Sequence, residues 1–289
     1  MMFKKHAALL PYRKKCLPLQ FKQQKSVRSV KIKQVLEALE KFAPLPLQES
    51  WDNAGLQIGL TEAEVSGALL CLDVTEAVVD EAIAKGCNLV VSHHPLLFRG
   101  LKQVADLTDV QRTVRKAIRS DVAVISMHTN LDNARGGVNF KIAERLGLQR
   151  VHFGCEPEPA AEKGQWVMGL LPQPLTAADF VQHVKQRLGA QVAQCNQLLG
   201  RPIQRVAICG GAGDFLLGEA LAQGADAFLT GEMHYHQYFG YEQQLQIVVV
   251  GHYESEHYTK ELLRDIIEAQ CPGVRTVLAE TNTNPILYL

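Results

Sequence analysis

Apolar residues recur along this chain in two rhythms, and together they predict a layered α/β protein. Val35, Leu36, Leu39 and Phe42 lie on one face of a helix, and Ala43-Pro44-Leu45-Pro46 stops it. A glycine-containing turn, Trp51-Asp52-Asn53-Ala54-Gly55-Leu56-Gln57-Ile58-Gly59, then runs into a short strand. Three strand and helix pairs follow: residues 68–72 with a helix near 75–85, 89–91 with one near 107–119, and 122–126 with one near 138–146. A Glu, Pro and Ala-rich stretch at 155–162 marks a boundary. Beyond it strands are expected at 166–171, 205–209, 227–230 and 247–250, with helices near 177–188, 215–223 and 256–269. Strands alternating with helices of this length imply right-handed crossovers and mostly parallel sheets.

The second half repeats the first. At a constant offset of 138 positions Cys71 matches Cys209, Glu81 matches Glu219, Ala82 matches Ala220, Ala84 matches Ala222 and Gly86 matches Gly224. The strand ending Ser92-His93-His94 then lies against the one ending Thr230-Gly231-Glu232. At a different offset, the stretch from Val124 through His128 to Asp132 lies against the stretch from Val248 through His252 to Glu256. Each half therefore carries an apolar strand followed by His-x-x-x-acid. The expected architecture is two pseudo-twofold-related three-layer α/β/α lobes, residues 30–154 and 155–289, facing each other across a cleft.

Composition narrows the function classes. No apolar stretch approaches the roughly 20 residues of a membrane-spanning helix, so a soluble body without membrane partners is expected. The seven cysteines are odd in number and include no Cys-x-x-Cys, which indicates a reducing compartment and argues against a thiolate zinc site. The formal net charge of zero conceals a split: residues 1–29 hold eight Lys or Arg and no acid, leaving 22 basic against 30 acidic residues in the rest. A body that acidic makes a poor general nucleic-acid binder. The basic segment has Pro11 and Pro18 and no long apolar core, so it is a weak signal peptide and is expected to be poorly ordered. A mitochondrial presequence and translated upstream sequence are the alternatives for it, and the expected location of the body is cytoplasmic.

The chemistry collects at strand ends. Leu89-Val90-Val91 reads as a buried parallel strand that delivers His93 and His94 at its carboxyl end, where open α/β sheets keep their sites. A His and an acid four positions apart share a face if the turn is helical. His93, His94, Asp132, His252 and Glu256 are then a plausible inward set of nitrogen and oxygen donors, suited to zinc, iron, manganese or nickel. Five side chains suffice for two ions when carboxylates bridge, and paired ions can activate a water and polarise an electrophile. Gly210-Gly211-Ala212-Gly213-Asp214 offers a weaker signal. It reads first as a tight strand-to-helix turn and second as a phosphate cradle, for which Arg135 beside Gly136-Gly137 is a candidate partner.

These stretches resemble the GTP cyclohydrolase I type 2 homologues, also called NIF-three-like or dinuclear metal centre proteins. The resemblance covers roughly residues 30–289. It rests on the Trp51 to Gly59 stretch, on Val91-Ser92-His93-His94-Pro95, on His128-Thr129-Asn130-Leu131-Asp132 continuing to Gly136-Gly137-Val138-Asn139, on Leu229-Thr230-Gly231-Glu232, and on Gly251-His252-Tyr253-Glu254-Ser255-Glu256. It implies that His93, His94, Asp132, His252 and Glu256 bind two divalent transition-metal ions per chain, and that the chain forms a homohexamer with sites facing an inner cavity. Larger members insert a domain between the lobes, for which the linker near residue 155 leaves no room.

The resemblance gives no ligand role to His128, which is expected to orient Asp132 or a substrate. Glu232, aligned with His94, is a candidate general base or a support for a ligand. His234 and His236 read as surface residues. The expected function is a metal-dependent hydrolase acting, through a metal-activated water, on a small-molecule substrate: a nucleotide or another phosphorylated compound. The family name implies opening of the purine ring of GTP, though nothing in these residues selects guanine. The competing class is a non-catalytic metal-binding or interaction protein, since the family name also records a transcription-associated partner.

Overall fold

The structure, a computed structural model, describes residues 29–154 and 163–289; the basic segment and the linker expectation fall outside them. In chain order the elements are α1 (Ile32–Phe42), β1 (Gly55–Ile58), β2 (Ala68–Cys71), α2 (Glu76–Ala84), β3 (Leu89–Ser92), α3 (Asp109–Arg119), β4 (Ala123–Ser126), α4 (Thr129–Asp132), α5 (Val138–Arg145) and β5 (Gln149–Phe153). Then come β6 (Val167–Leu175), α6 (Ala177–Leu188), β7 (Gln194–Cys195), β8 (Ile203–Cys209), α7 (Leu217–Ala222), β9 (Ala227–Thr230), β10 (Gln246–Val249), α8 (His252–Glu256), α9 (Thr259–Gln270) and β11 (Thr276–Leu278). Local chemistry sets several boundaries. The hydroxyls of Thr75, Thr108 and Thr176 accept from the amides of Val78, Gln111 and Asp179, capping α2, α3 and α6, and α6 ends at Gly189 in the left-handed region.

Two sheets form, in the orders β1-β4-β3-β2-β11 and β5-β6-β8-β9-β10-β7. All residues of β2, β3, β4, β9 and β10 are buried, as expected of strands covered on both faces. The period of two then divides each strand between two cores. Leu69, Cys71, Val90 and Val124 pack outward with α2 and α3, and Ala207, Phe228 and Ile247 pack outward with α7. Leu70, Val91 and Ile125 of the first sheet and Ile208, Leu229 and Val248 of the second enter one continuous core with residues of α1, α5, α6 and α9. The protein is thus a pair of α/β/α lobes whose inner helices form one common layer.

Strand register supports the duplication. Cys71 pairs with Ser92 and Cys209 with Thr230, which reproduces the offset of 138 in space. Antiparallel β1 beside β4 matches antiparallel β7 beside β10. The next strand slips by one: Ser92 pairs with Ser126, but Thr230 pairs with Val249. The second lobe therefore has one more residue between strand and helix, and Gly251, with φ +105°, takes it up. Symmetry ends at the outer edges. The first sheet gains parallel β11 from the end of the chain, whereas the second gains β6 and β5 as an antiparallel pair. The helix expected near 256–269 is divided in two, so that Glu256 closes the short α8 and α9 starts afresh at Thr259.

Candidate metal centre

Three strand ends deliver the site. β3 runs out into His93 and His94, β4 into His128 and the single-turn α4 that ends at Asp132, and β10 through Gly251 into α8 with His252 and Glu256. Spacing of four on a single helical turn places His252 and Glu256 side by side, Nε2 to Oε2 2.9 Å. Glu256 Oε2 is the meeting point, with His94 Nε2 at 3.0 Å and His93 Nε2 at 3.7 Å, and Asp132 Oδ1 lies 3.5 Å from His93 Nε2. Donor atoms fall into three overlapping sets, each within 4.8 Å: His93, Asp132 and Glu256; His94, His252 and Glu256; and His93, His94 and His128. Residues from both lobes converge on one point, as the repeat predicts. The structure also places a His128 ring nitrogen within 4.8 Å of donor atoms of His93 and His94, while its Nδ1 turns to Asp52.

The outward nitrogen of each imidazole is engaged. His93 Nδ1 lies 2.8 Å from the Met127 carbonyl oxygen, His94 Nδ1 2.7 Å from Asp73 Oδ1, and His128 Nδ1 2.7 Å from Asp52 Oδ1. His252 Nδ1 lies 3.2 Å from Glu232 Oε1. Carbonyls and carboxylates only accept, so Nδ1 of His93, His94 and His128 carries the proton and Nε2 turns a lone pair inward when the ring is neutral, while His252 Nδ1 stands at ion-pair distance from Glu232. Asp52 is itself fixed, since Oδ2 accepts from the Thr129 amide at 3.0 Å and from the Thr129 hydroxyl. Four rings held this way, with two carboxylates between them, have the chemistry of a transition-metal site. Glu232 thus stands behind His252, with its own side chain half-exposed.

Electrostatics favour positive charge at the centre. Burial would lower the pKa of His94, but Asp73 and Glu256 raise it to about 10. Burial opposes protonation of His252 as well, yet Glu256 carries it to about 9. Burial raises Asp132, helped by the charge of Glu256, while the imidazoles hold Glu256 well below the usual carboxylate range against its own burial. Cations bound here would compete with protons, so metal uptake should release them.

A cavity of about 700 Å³ opens onto these groups, within the range of small-molecule sites. Its mouth carries Trp51, Phe98 and Phe215, all well exposed, and its wall includes Glu49, whose Oε1 accepts from Asn133 Nδ2 at 2.9 Å and Gln165 Nε2 at 3.0 Å. The glycine turn lines the far side without cradling an anion. The amides of Gly210, Gly211 and Gly213 donate to Asn139 Oδ1, Ser255 Oγ and Thr230 Oγ1, which leaves the tight-turn reading. Arg135 lies over the Phe140 and Phe153 rings. His234 is solvent-facing, His236 and Phe239 group with Tyr235, and His257 stacks on Tyr253 at 5.2 Å between ring centres. The supports Asp73 and Met127 were missed in the sequence. Asp73 follows a strand end, as His93 does, but a lone acid there is a common turn residue; a backbone carbonyl carries no residue signal at all.

Known proteins share this chain's sequence pattern and fold. The family model Duf34/NIF3 (NGG1p interacting factor 3) matches residues 30–285. A Clostridium acetobutylicum protein named GTP cyclohydrolase 1 type 2 homolog is 32% identical over 266 residues, covering 90% of this chain and 99% of its own. One of the same name from Streptomyces coelicolor is 36% identical over 212 residues, 71% of this chain and 74% of its own. The crystal structure of a Staphylococcus aureus hypothetical protein superposes with a TM-score of 0.83 at 29% identity, covering 90% of this chain and all (100%) of that one. A Bacillus cereus protein related to NIF3 shares the fold, with a TM-score of 0.82 at 24% identity over 91% of this chain and 100% of its own. With its family model spanning nearly all the described residues and relatives above 30% identity along most of its length, the chain belongs to the Duf34/NIF3 family.

Proposed function

We propose that this chain is a dinuclear metal-dependent hydrolase acting on a nucleotide or another phosphorylated small molecule. The observation that carries the reading is the fixed orientation of four imidazoles, each with Nδ1 engaged outward and Nε2 turned to a common centre. In this reading His93, Asp132 and Glu256 hold one ion, His94, His252 and Glu256 the other, and His128 joins from the cavity side. Glu256, which belongs to both sets, would be held in common. Mixed nitrogen and oxygen donors suit zinc, iron, manganese or nickel. Two such ions would supply an activated water and Lewis-acid polarisation of an electrophilic carbon or phosphorus.

The chain's own residues supply the rest. Asp52, Asp73 and Glu232 keep the rings oriented, and Trp51, Phe98 and Phe215 offer aromatic faces to a planar group at the mouth. The amides of Gly210, Gly211 and Gly213 are already bonded and so are not free to meet phosphate oxygens. The homohexamer implied by the resemblance belongs to the same proposal, and sizing of the purified protein tests it.

Metal analysis is the first test of the site. Wild-type protein should hold up to two transition-metal ions per chain, and His93→Ala or Glu256→Ala should lose at least one. Turnover is tested with metal-replete protein on a nucleotide and phosphoester panel, with Asp132→Ala as control. Unchanged metal content in both variants sinks the site. Full metal without turnover on any compound, joined to metal-dependent capture of a protein partner, would favour the non-catalytic class instead.

A further inference from the structure

After β11 the chain does not simply end; it crosses from one ligand-bearing lobe to the other. The crossing is anchored at its start. Lys260 Nζ donates to the Ala279 carbonyl at 3.0 Å, and Glu81 accepts from the amides of Glu280 and Thr281 at 2.8 and 2.9 Å. Thr283 Oγ1 then donates to Asp73 Oδ2 at 2.6 Å, and the other oxygen of Asp73 accepts from His94 Nδ1. The next residue reaches the opposite lobe: Asn284 Nδ2 donates to Glu254 Oε1 at 3.0 Å, and Glu254 lies on α8 midway between His252 and Glu256. The amide orientation of Asn284 follows from its surroundings, since its Oδ1 accepts from the Ile286 amide at 3.1 Å.

We propose that Thr283 and Asn284 are positioning residues for the metal centre, clamping the two segments that supply His94, His252 and Glu256. Two neighbouring side chains of one strap thus act on donors from different lobes. A carboxylate behind a ligating imidazole sets ring angle and basicity, and Asp73 keeps its own angle only while its second oxygen is held. Without the Thr283 hydroxyl, Asp73 is free to rotate and His94 with it. Without Asn284, the strap's hold on α8 is reduced to the bond between Tyr288 and Glu254. The proposal rests on the dinuclear reading of the site, and it concerns one ion more than the other because His94 and His252 are absent from the set formed by His93, Asp132 and Glu256.

The test uses the full chain loaded with zinc and titrated with a chromogenic chelator. Thr283→Val should weaken one of the two ions about tenfold, in line with other supports of ligating histidines, and leave the second within about twofold. Thr283→Ser, which keeps the hydroxyl, should restore wild-type retention. Asn284→Ala, which leaves Asp73 and Thr283 in place, should weaken the same ion most, with a smaller loss at the other through the shared Glu256. Melting of the metal-free variants should stay close to wild type. Chelation curves that overlay wild type in both variants overturn the proposal, and so does an equal loss of both ions that tracks a lowered melting temperature. A wild-type chain that takes up no zinc overturns the metal reading and the clamp together.

Discussion

Gly211→Ala is the most direct probe of the centre that leaves every proposed ligand in place. Gly211 has φ +61°, and a Cβ there would lie 2.5 Å from Glu256 Oε1 and 3.3 Å from both Glu256 Cδ and His252 Cε1. Two costs separate cleanly. The left-handed backbone costs an alanine about 1–2 kcal/mol. The contact forces the Glu256 carboxylate to retreat by roughly 1 Å to reach ordinary van der Waals separation, several times the about 0.2 Å tolerance of a metal bond. Gly147 isolates the first cost, because its φ is +71° and nothing lies within 4 Å of its would-be Cβ. Both variants should therefore melt lower by a similar amount when metal-free, roughly 2–8 °C for about 1–2 kcal/mol. Only Gly211→Ala should lose metal, and because Glu256 belongs to two of the three donor sets both ions should be affected. Metal analysis after identical loading decides it. Equal metal content in the two variants would refute the shared role of Glu256.

Three further outcomes follow from particular contacts. Asp52→Asn keeps the shape of the group that aligns His128 and Thr129 but removes its charge, so metal affinity should fall about 10- to 100-fold in a competition assay; unchanged affinity would detach His128 from the site. Burial alone would raise the pKa of Glu81, but the Glu280 amide, Thr281 and Lys85 hold it at about 2, so its stabilisation is complete above its ordinary value of 4.5 and fades as pH falls toward 2. Urea unfolding of metal-free Glu81→Gln should then show a loss of about 2 kcal/mol at pH 7, discounted for solvent screening, and a smaller one at pH 3.5; a pH-independent difference would refute the linkage. A chain starting at Ser29 should melt and bind metal as the full chain does, and a large fall in melting temperature would show that the basic segment matters to the fold.

The strongly patterned parts of the fold are legible in the sequence. Residues 68–72, 89–91, 122–126 and 227–230 are near-continuous apolar runs, and each coincides with a buried parallel strand. What was missed lacked that signal. β7 is two exposed residues, and β11 is three residues whose pairing with β2 depends on a return of the chain over about 200 positions. β5 is half-exposed and bulged, so neither its alternation nor its burial shows in the sequence. The site divides the same way. His93, His94, Asp132, His252 and Glu256 could be collected because they stand at repeated strand ends, whereas Asp73 and Thr283 are defined by a contact between chain segments 210 positions apart.

The asymmetry between the lobes explains why, among the described residues, the duplication gathers one cluster of donors rather than two. His93 corresponds to Gly231 at the offset of 138, and Gly231 has no room for a side chain. A Cβ there would lie 2.7 Å from Ser255 Oγ, 2.8 Å from the Gly211 carbonyl oxygen and 2.9 Å from His252 Cα. That crowding has a use. The Gly211 carbonyl accepts from the amides of both Gly231 and Glu232, joining the β8 and β9 ends, and the Gly211 amide donates to Ser255 Oγ on α8, the helix that carries His252 and Glu256. His94 corresponds to Glu232, which turns to His252 Nδ1 instead of facing the centre. The first lobe thus contributes His93, His94, His128 and Asp132, while the second contributes two inward donors and a carboxylate that orients one of them. Replacing Gly231 by histidine to restore the ancestral-looking symmetry would therefore not add a ligand. It would push α8 away and remove the two that the second lobe provides.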